Sequence, residues 1–429
     1  MTPSSPPSSL PRLLIARLPF YYGWLVLGAV CCAGFARQGP ANAVLSIFVE
    51  PMTREFGWSR TALSGVISLG GVLGALSAPL LGPVLDRRGA RLVLCLAVLG
   101  SGVACMALSL TPSLIVFYVL FCFARMIWAG PFDLGIYGAL NNWFVARRAF
   151  ANATASFAQS LGLVALPLIA QLAITPYGWR AGWLAIGATV LIVGFAPVWL
   201  LLVRQPEDLG LVPDRIASAH ATPSAHPAFD AEPSFSRAQA LRTRAFWLLA
   251  LYTALVYPTQ AGLSLHQAAH LIERGIAPAT AATIVSTFSA TSALVSLACG
   301  FLPRGLPIRY PLMAFGALFV AAALVMTTIA TPRDGYVAAC LFGAGIGGVI
   351  TLVPVAWAEY FGRRSYGAIR SLALFVQVLA QAAGPPLSGA LRDLTGDYTA
   401  SLHCFAALSF AAIVVGFLAR PPRGVADSV

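Results

Sequence analysis

GPVLDRRGAR, residues 82–91, is a short charged stretch between two long apolar runs, which cover residues 61–85 and 92–110. A helix of about 20 apolar residues is roughly 30 Å long, which is enough to cross the hydrocarbon core of a bilayer. The stretch between the runs is too short and too charged to be anything but a tight turn. The sequence therefore predicts two transmembrane helices joined at a membrane face, and the arginines of the turn would anchor it on the cytoplasmic side.

The composition of the whole chain supports this assignment. The chain has 429 residues, of which 58% are hydrophobic and only 10% are charged. A soluble domain is typically about one quarter charged, so the composition predicts an integral membrane protein in a lipid bilayer. The chain has no Lys, so all 27 basic residues are Arg. They are spread over many short loops and form no basic stripe, which argues against nucleic acid as a partner.

The residue types that usually carry enzyme chemistry are not arranged for it. The eight Cys all lie inside apolar runs and are interpreted as small buried hydrophobic residues, not as a disulfide or zinc framework. The sequence contains no Walker-type phosphate loop, no metal-ligand spacing and no recognisable Ser–His–Asp arrangement. The sequence therefore predicts no cofactor, no metal, no use of ATP and no enzyme activity.

Twelve apolar runs follow one another along the chain, and they predict an all-α membrane protein. The runs lie near residues 20–48, 61–85, 91–110, 113–142, 150–173, 181–203, 245–268, 279–301, 309–330, 335–358, 367–390 and 400–419. A polar stretch at 204–244, rich in Pro, Ala and Ser, predicts a flexible cytoplasmic linker between six-helix bundles at 20–203 and 245–420. Residues 1–19 are predicted to be a disordered cytoplasmic tail, and residues 421–429 a second cytoplasmic tail.

The distribution of Arg predicts the orientation in the membrane. With the N-terminus inside, six Arg fall in outward loops and two, Arg37 and Arg125, fall inside helices. The other 19 then face the cytoplasm, which follows the positive-inside rule. Both termini are therefore predicted to be cytoplasmic.

The two halves also repeat one another. Gly57 and Gly275 precede the second and eighth runs, and Gly82 and Gly300 close those runs, in both cases 218 positions apart. Internal repeats of this kind are found in transporters whose two halves are related by pseudo-symmetry. The repeat predicts two pseudo-symmetric six-helix bundles.

Several motifs together resemble one family. The turn at 82–91 resembles the pattern G-x-x-x-D-R-x-G-R of the major facilitator superfamily, with Ala90 standing before the final Arg91. The further matching stretches are PFYYGW (19–24), EFGWSR (55–60), NNWFVARRAFANA (141–153), RQPEDLGLVPD (204–214), EYFGRRSYGAIRS (359–371) and LRDLTGDY (391–398). The chain resembles the branch of monocarboxylate transporters and oxalate:formate antiporters, in particular its bacterial members. This resemblance implies twelve transmembrane helices, alternating access and a location in the bacterial inner membrane.

Two departures from related patterns bear on the substrate. Carboxylate transporters of this branch often carry an Arg in the eighth helix, but run 279–301 contains several Ser and Thr and no cation. This puts recognition of the lactate or oxalate type in doubt. The G-P-x-x-G run of drug exporters is also missing from the fifth run, which reads GLVALPLIA at 162–170.

Charged groups inside apolar runs are costly in a membrane and point to function. Arg125 lies near the middle of the fourth run, and Arg37 lies beside a potential helix break at Pro40. Either Arg is predicted to bind an anionic substrate, although Arg125 could instead be a structural ion-pair partner and Arg37 could snorkel toward headgroups. Asp133 is a candidate for proton coupling and is expected to pair with Arg37, because helices one and four line the cavity in the resembled fold. A purely structural pair is the alternative.

Three uncharged or weakly basic residues are further candidates for contact with substrate. His266 lies at the outer end of the seventh run, where it could touch substrate or simply form an interfacial hydrogen bond. Gln377 and Gln381 are four residues apart and face the same way. They could line the cavity, or they could hold neighbouring helices together.

The family resemblance also implies a gate at the cytoplasmic face. Charges in the motif contact helix ends or Arg of a neighbouring bundle when the inner side is shut, and they separate as the halves move. Glu359 and Arg363 have the spacing of an ion pair within one helix. The implied gating residues are Gly82, Asp86, Arg87, Arg88, Gly89, Arg91, Glu359 and Arg363.

Taken together, the sequence predicts a monomeric secondary transporter for a small organic solute, favouring an organic anion, driven by a gradient such as that of protons. A carrier or exporter of neutral or hydrophobic compounds is one alternative, favoured by the Ser/Thr-rich eighth run. A membrane sensor that binds a solute without moving it is another, although the linker has no feature of a partner-binding domain.

Overall fold

The computed structural model describes residues 9–58, 60–214, 234–303 and 305–422, and within these ranges the chain is almost entirely helical. A short 3₁₀ helix, Pro206–Leu209, lies between α8 and α9. The helices are α1 (Ser9–Arg17), α2 (Gly23–Arg37), α3 (Asn42–Phe56), α4 (Arg60–Arg88), α5 (Ala90–Leu108), α6 (Leu114–Ala129), α7 (Pro131–Trp143), α8 (Arg148–Leu201), α9 (Arg237–Arg242), α10 (Arg244–Glu273), α11 (Pro278–Cys299), α12 (Arg309–Thr327), α13 (Pro332–Phe361), α14 (Tyr366–Thr395) and α15 (Thr399–Leu418).

Ten helical segments of the described chain are long and apolar enough to span a membrane. Twelve runs were expected, and two local features account for the difference. The 54-residue α8 contains Gly178 at φ 81° and ψ 172°, which is not helical, so the predicted fifth and sixth runs meet there at a kink. The first run is divided between α2 and α3, and each of these has only 15 residues.

The helices carry an apolar outer surface of the kind that lipid covers. Leu80, Ile115 and Leu172 are each at least three-quarters exposed, at 76%, 77% and 76%. Soluble monomers rarely expose large continuous apolar patches. The exposed leucines and isoleucine therefore agree with the membrane location that the composition predicts.

The predicted break in the first run is present. Helix α2 ends at Arg37 and α3 begins at Asn42, and the residues between them include Gly39 and Pro40. Proline has no backbone N–H and disfavours a helical conformation in the residue before it. The break therefore exposes backbone carbonyls in the middle of an apolar segment, where a side-chain donor can reach them.

A second break divides the fourth run at Gly130 and Pro131, between α6 and α7. Gly130 has φ −106° and ψ −80°, outside the helical region, and Pro131 occupies the first turn of α7. Proline is favoured at that position because its missing N–H would have no partner inside the helix. The break places Asp133 in the first turn of α7, so its carboxylate belongs to a helix N-terminus, not to a continuous helix.

The chain forms two compact units. The first contains the described residues of Met1–Ala151 and Ala158–Glu232, together with Arg363–Ser371 from the beginning of α14. The second contains Asn152–Phe157, the described residues of Pro233–Gly362, and those of Leu372–Val429.

The predicted tail and linker are more ordered than expected at their edges. Ser9–Arg17 forms a helix where a disordered tail was predicted, and α9 begins at a capping box made by Ser236 and Gln239. Such reciprocal hydrogen bonds satisfy the first free N–H groups of a helix. The remaining parts of these predictions, residues 1–8, 215–233 and 423–429, lie outside the described residues.

The beginning of the predicted linker is fastened to the turn between α7 and α8. Asp214 Oδ1 accepts hydrogen bonds from the backbone N–H groups of Val145 and Ala146. The Asp214 backbone N–H donates to the Trp143 carbonyl at 3.3 Å, and Phe144 pairs with Asp214 in a parallel β-bridge. Residues 204–214 therefore belong to the first unit as an ordered strap, which corrects the prediction of a flexible linker there.

The strap gives a prediction about pH. Burial raises the pKa of Asp214 above its usual value, although the hydrogen bonds from Val145 and Ala146 act in the opposite direction. A carboxyl whose pKa is raised in the folded state contributes stability that is complete below the unfolded pKa and is lost as pH rises through the folded pKa. The unfolding temperature of the wild type minus that of Asp214→Asn should therefore fall between pH 4 and pH 7. A constant or rising difference in thermal unfolding experiments would contradict this assignment.

Candidate functional site

A cluster of buried charged side chains lies where the two helix breaks of the first unit meet. Arg37 ends α2 and Asp133 lies in the first turn of α7, and both are more than nine-tenths buried. Arg37 Nη2 lies 3.4 Å from Asp133 Oδ1. The expected contact between these two residues is therefore present.

The guanidinium of Arg37 has further partners on α6 and α8. Its Nε donates to the Trp128 carbonyl at 3.1 Å, and its Nη1 donates to Gln159 Oε1 at 2.8 Å. Only 6% of the residue is exposed. An Arg that snorkels extends its charged end toward water, so the alternative of Arg37 as a headgroup anchor does not match its buried, fully engaged guanidinium.

Arg370 is a third member of the cluster, and the sequence analysis placed it incorrectly. It was counted among the arginines of the cytoplasmic face, but it lies in α14 with 1% exposure. Its Nη2 lies 3.5 Å from Asp133 Oδ2, so Arg37 and Arg370 share one carboxylate. The available signal was its position inside the eleventh apolar run, which argued against a loop.

Arg125 differs from the other two arginines because it forms no ion pair within the described part of the chain. Its Nη1 donates to the Pro40 carbonyl at 3.3 Å, and its Cζ lies 3.8 Å from the centroid of the Trp128 ring. Its Nε has no hydrogen-bond partner there, although the residue is only 8% exposed. Arg125 is therefore a buried cation with unused donors.

Two polar residues of the cluster have no charge and were missed. Gln159 on α8 accepts from Arg37 and donates Nε2 to the Tyr137 hydroxyl at 3.3 Å. Uncharged polar residues are common within apolar runs, so the sequence did not mark Gln159 and Tyr137 as candidate site residues. Gln159 thus helps to fix the orientation of the Arg37 guanidinium, and Tyr137 holds Gln159.

The electrostatic balance of the cluster is strongly positive. The cluster contains three buried guanidinium groups, of Arg37, Arg125 and Arg370, but a single carboxylate, that of Asp133, which pairs with Arg37 and Arg370. Burying a charge without a counter-charge is costly in a medium of low polarity. The cluster is therefore suited to binding an anion, and a carboxylate would match the planar donor fork of Arg.

The motif that predicted a gate makes a helix cap within the first unit. Asp86 Oδ1 accepts from the Gly367 N–H at 2.7 Å, and Oδ2 accepts from the Ala368 N–H at 2.8 Å. These N–H groups belong to the first turn of α14, where a helix lacks internal partners and favours negative charge. A Cβ added to Gly82 would lie 2.3 Å from the Gly367 carbonyl, so this close approach of α4 requires glycine.

The other residues of that motif make separate local contacts. Arg87 and Arg88 lie at the exposed end of α4, and the Arg87 carbonyl accepts a hydrogen bond from Arg204 at 3.3 Å. Gly89 has φ 82°, a left-handed conformation that glycine tolerates. Arg91 lies with its Cζ 4.8 Å from the centroid of the Trp199 ring.

Arg363 is held by the strap. Its Nη2 forms an ion pair with Glu207, and its Nη1 donates to the Asn142 carbonyl at 3.3 Å. Glu207, which follows Pro206 in the 3₁₀ helix, had no predicted role. Glu359 is an exposed residue near the end of α13.

The remaining candidates lie in the second unit. His266 Nδ1 lies 3.1 Å from the Tyr398 hydroxyl, which agrees with the simpler alternative of a local hydrogen bond. Gln381 Nε2 donates to Gln260 Oε1 at 2.9 Å and so connects α14 to α10. Gln377 is 6% exposed. These three residues are therefore not part of the arginine cluster of the first unit.

Comparisons with known proteins agree with the fold and the motifs. The family model described as Major Facilitator Superfamily matches residues 26–385. The chain is 26% identical over 390 residues to monocarboxylate transporter 11 of Mus musculus, covering 89% of this chain and 83% of the relative. It is 25% identical over 387 residues to monocarboxylate transporter 4 of Rattus norvegicus, covering 88% and 78%.

Solved structures show the same fold. The crystal structure of the human organic anion transporter MFSD10 (TETRAN) aligns with a TM-score of 0.68 and 17% identity over 92% of this chain and 98% of that one. The crystal structure of the transporter FucP in the outward conformation aligns with a TM-score of 0.65 and 15% identity over the same shares. The conclusion follows from the multi-pass helical fold, from the motif at 82–91 and from the family match over most of the chain. This chain is a membrane transporter, not an enzyme, and belongs to the major facilitator superfamily.

Proposed function

We propose that this transporter carries a small organic anion, most simply a carboxylate, by alternating access. The observation that carries the proposal is the excess positive charge of the buried cluster, which contains three guanidinium groups, of Arg37, Arg125 and Arg370, and the single carboxylate of Asp133. A bound anion would supply the missing negative charge. The relatives, monocarboxylate transporters 11 and 4, and the structural neighbour, an organic anion transporter, support the same substrate class.

The roles within the cluster follow from the partners of each cation. Arg125 binds the carboxylate directly, because its Nε is buried without a hydrogen-bond partner among the described residues. Arg37, which also lies beside the Trp128 ring, assists. Asp133 takes up and releases the coupled proton. When Asp133 is protonated, its attraction to Arg37 and Arg370 weakens, and this couples proton movement to anion binding.

The proposed transporter has twelve membrane spans in two pseudo-symmetric halves, and both termini lie in the cytoplasm. The count of twelve takes α2 and α3 together as the first span and divides α8 at Gly178 into the fifth and sixth. The excess of Arg in the loops on one side supports this orientation. The transporter works as a monomer in the inner membrane of a bacterium, and no nucleic acid takes part.

The cap on α14 serves as part of the gate. The contact of Asp86 with the N–H groups of Gly367 and Ala368 favours one state of the transport cycle, and Arg363 with Glu207 adds to it. The gate also includes Arg87, Arg88, Arg91 and Glu359. His266, Gln377 and Gln381 remain further candidates for contact with substrate.

A neutral substrate is the competing proposal. It is favoured by α11, in which Ser286 and Thr287 donate to backbone carbonyls of their own helix and no cation is present. A carrier of neutral compounds would leave the charge of the arginine cluster unbalanced throughout the cycle, and for this reason we prefer the anion.

Counterflow in proteoliposomes tests the proposal. Vesicles containing the purified protein are loaded with unlabelled lactate, pyruvate or succinate, or with the corresponding amides, and entry of the labelled acid is followed. We expect carboxylates to drive counterflow and amides to fail, and we expect acid outside the vesicle to accelerate net uptake. Equal counterflow by acids and amides would overturn the anion proposal, and binding without any counterflow would indicate a sensor.

A further inference from the structure

One indole ring lies beside both of the arginines that the proposed function assigns to the anion. The Cζ of Arg125 lies 3.8 Å from the centroid of the Trp128 ring, and the Cζ of Arg37 lies 4.5 Å from it. Arg125 precedes Trp128 by three residues on α6 and is therefore its neighbour on the same helix face. Arg37 reaches the ring from the end of α2.

Two guanidinium groups repel one another, and in an apolar segment little water is available to screen that repulsion. The negative face of an indole attracts a cation, and this attraction is stronger for Trp than for Tyr or Phe. Trp128 therefore offsets part of the repulsion between Arg37 and Arg125. It allows two cations to remain close together before an anion arrives.

Other contacts fix the orientation of Trp128 itself. Its Nε1 donates to Gln38 Oε1 at 3.3 Å, and its carbonyl accepts from Arg37 Nε at 3.1 Å. Gln38 lies in the break between α2 and α3, and the Pro40 carbonyl in the same break accepts from Arg125. The indole, the break and both arginines are thus joined by hydrogen bonds and ring contacts.

We propose that Trp128 is a positioning residue that holds Arg37 and Arg125 as a pair and thereby sets the preference for a carboxylate over its neutral amide. This inference rests on the proposed function, because it assigns Trp128 a role in the same anion site. The half-buried indole need not touch the substrate. Its effect is on where the two guanidinium groups point.

The first test compares Trp128→Leu with Trp128→Phe. Leucine keeps the position apolar but has no ring, whereas phenylalanine retains an aromatic face but loses the N–H to Gln38. In lactate counterflow, we expect the KM of Trp128→Leu to rise at least about tenfold with little change in maximal rate, and that of Trp128→Phe to rise less. Trp247→Leu is the control, since Trp247 is 58% exposed and lies in the second unit.

The second test does not depend on identifying a substrate. Phenylglyoxal, which modifies guanidinium groups, is added to the purified protein, and the labelled peptides are quantified by mass spectrometry. We expect Arg37 and Arg125 to be modified faster in Trp128→Leu than in wild type or Trp128→Phe. The exposed Arg54 should react at the same rate in all three proteins.

The two tests separate the two proposals. If labelling responds as expected but wild type transports neither lactate nor any other carboxylate of the panel, the anion function is wrong and the positioning role of Trp128 remains. If neither labelling nor KM differs between wild type and Trp128→Leu, the role of Trp128 is overturned whatever the substrate. If Trp128→Leu lowers affinity for lactate and lactamide equally, the selectivity part of the proposal is wrong.

Discussion

Arg125→Ala is expected to reduce carboxylate transport by about ten- to a hundred-fold, because a charge-assisted hydrogen bond contributes roughly 1.5–3 kcal/mol. Arg125→Lys should retain only part of the activity, since an ammonium group keeps the charge but not the planar fork. The side chain of Arg125 is buried and has no ion-pair partner within the described residues. Its removal should therefore leave the unfolding temperature of the ligand-free protein unchanged or higher.

The combination of lost transport and retained stability distinguishes a ligand-binding Arg from a structural one. Both quantities are measured on the same preparation, by counterflow in proteoliposomes and by thermal unfolding in detergent. Arg54→Ala is the matched control, because the Arg54 side chain is 79% exposed. Arg37→Ala should also lose transport but should unfold at a lower temperature. If Arg125→Ala and Arg37→Ala both transport at the wild-type rate, the anion site is elsewhere.

Asp133→Ala is expected to have the largest effect on stability. Its carboxylate is shared by Arg37 and Arg370, and breaking a buried ion pair by removing one partner typically costs about 3–5 kcal/mol. The unfolding temperature should fall by several degrees. Combining Asp133→Ala with Arg37→Ala should restore part of this loss, since one unpaired guanidinium is removed as well. A double variant as unstable as the sum of the single variants would contradict the shared pairing.

Asp133→Asn examines proton coupling in a side chain of nearly unchanged shape. The amide keeps the shape and can accept one hydrogen bond, but it cannot exchange a proton. We expect counterflow of lactate to continue while uphill accumulation driven by a pH gradient is lost. Accumulation at the wild-type level in Asp133→Asn would show that the proton takes another route.

Much of the charged cluster could be predicted because charge is conspicuous in apolar sequence. Arg37, Arg125 and Asp133 each interrupt an apolar run, and Pro40 and Pro131 mark the breaks that bring Arg37 and Asp133 together. The pairing of Arg37 with Asp133 was implied by the resembled fold, in which helices one and four line the cavity. The roles of these residues stay predictions.

The parts that were missed depend on contacts between distant segments. Arg370 appeared to belong to a cytoplasmic loop because it follows the Arg-rich end of run 335–358, and only the packing of α14 buries it beside Asp133. Gln159 and Trp128 are ordinary residues of transmembrane helices, and their roles arise from their contacts with Arg37 at the end of α2. The order of the strap was missed because a Pro-rich composition does not reveal that Asp214 caps a turn 69 residues away.

The cap formed by Asp86 has a consequence for how this contact would persist as sequences diverge. Its partners are main-chain N–H groups at positions 367 and 368, which every residue except proline can supply. A search for paired substitutions would therefore find no side chain that changes in step with Asp86. Position 367 would be restricted for a different reason, since a Cβ there would lie 2.5 Å from the Gly82 carbonyl. As related sequences diverge, position 86 would thus keep its acid and position 367 would keep a small residue. No pair of covarying positions would reveal the contact.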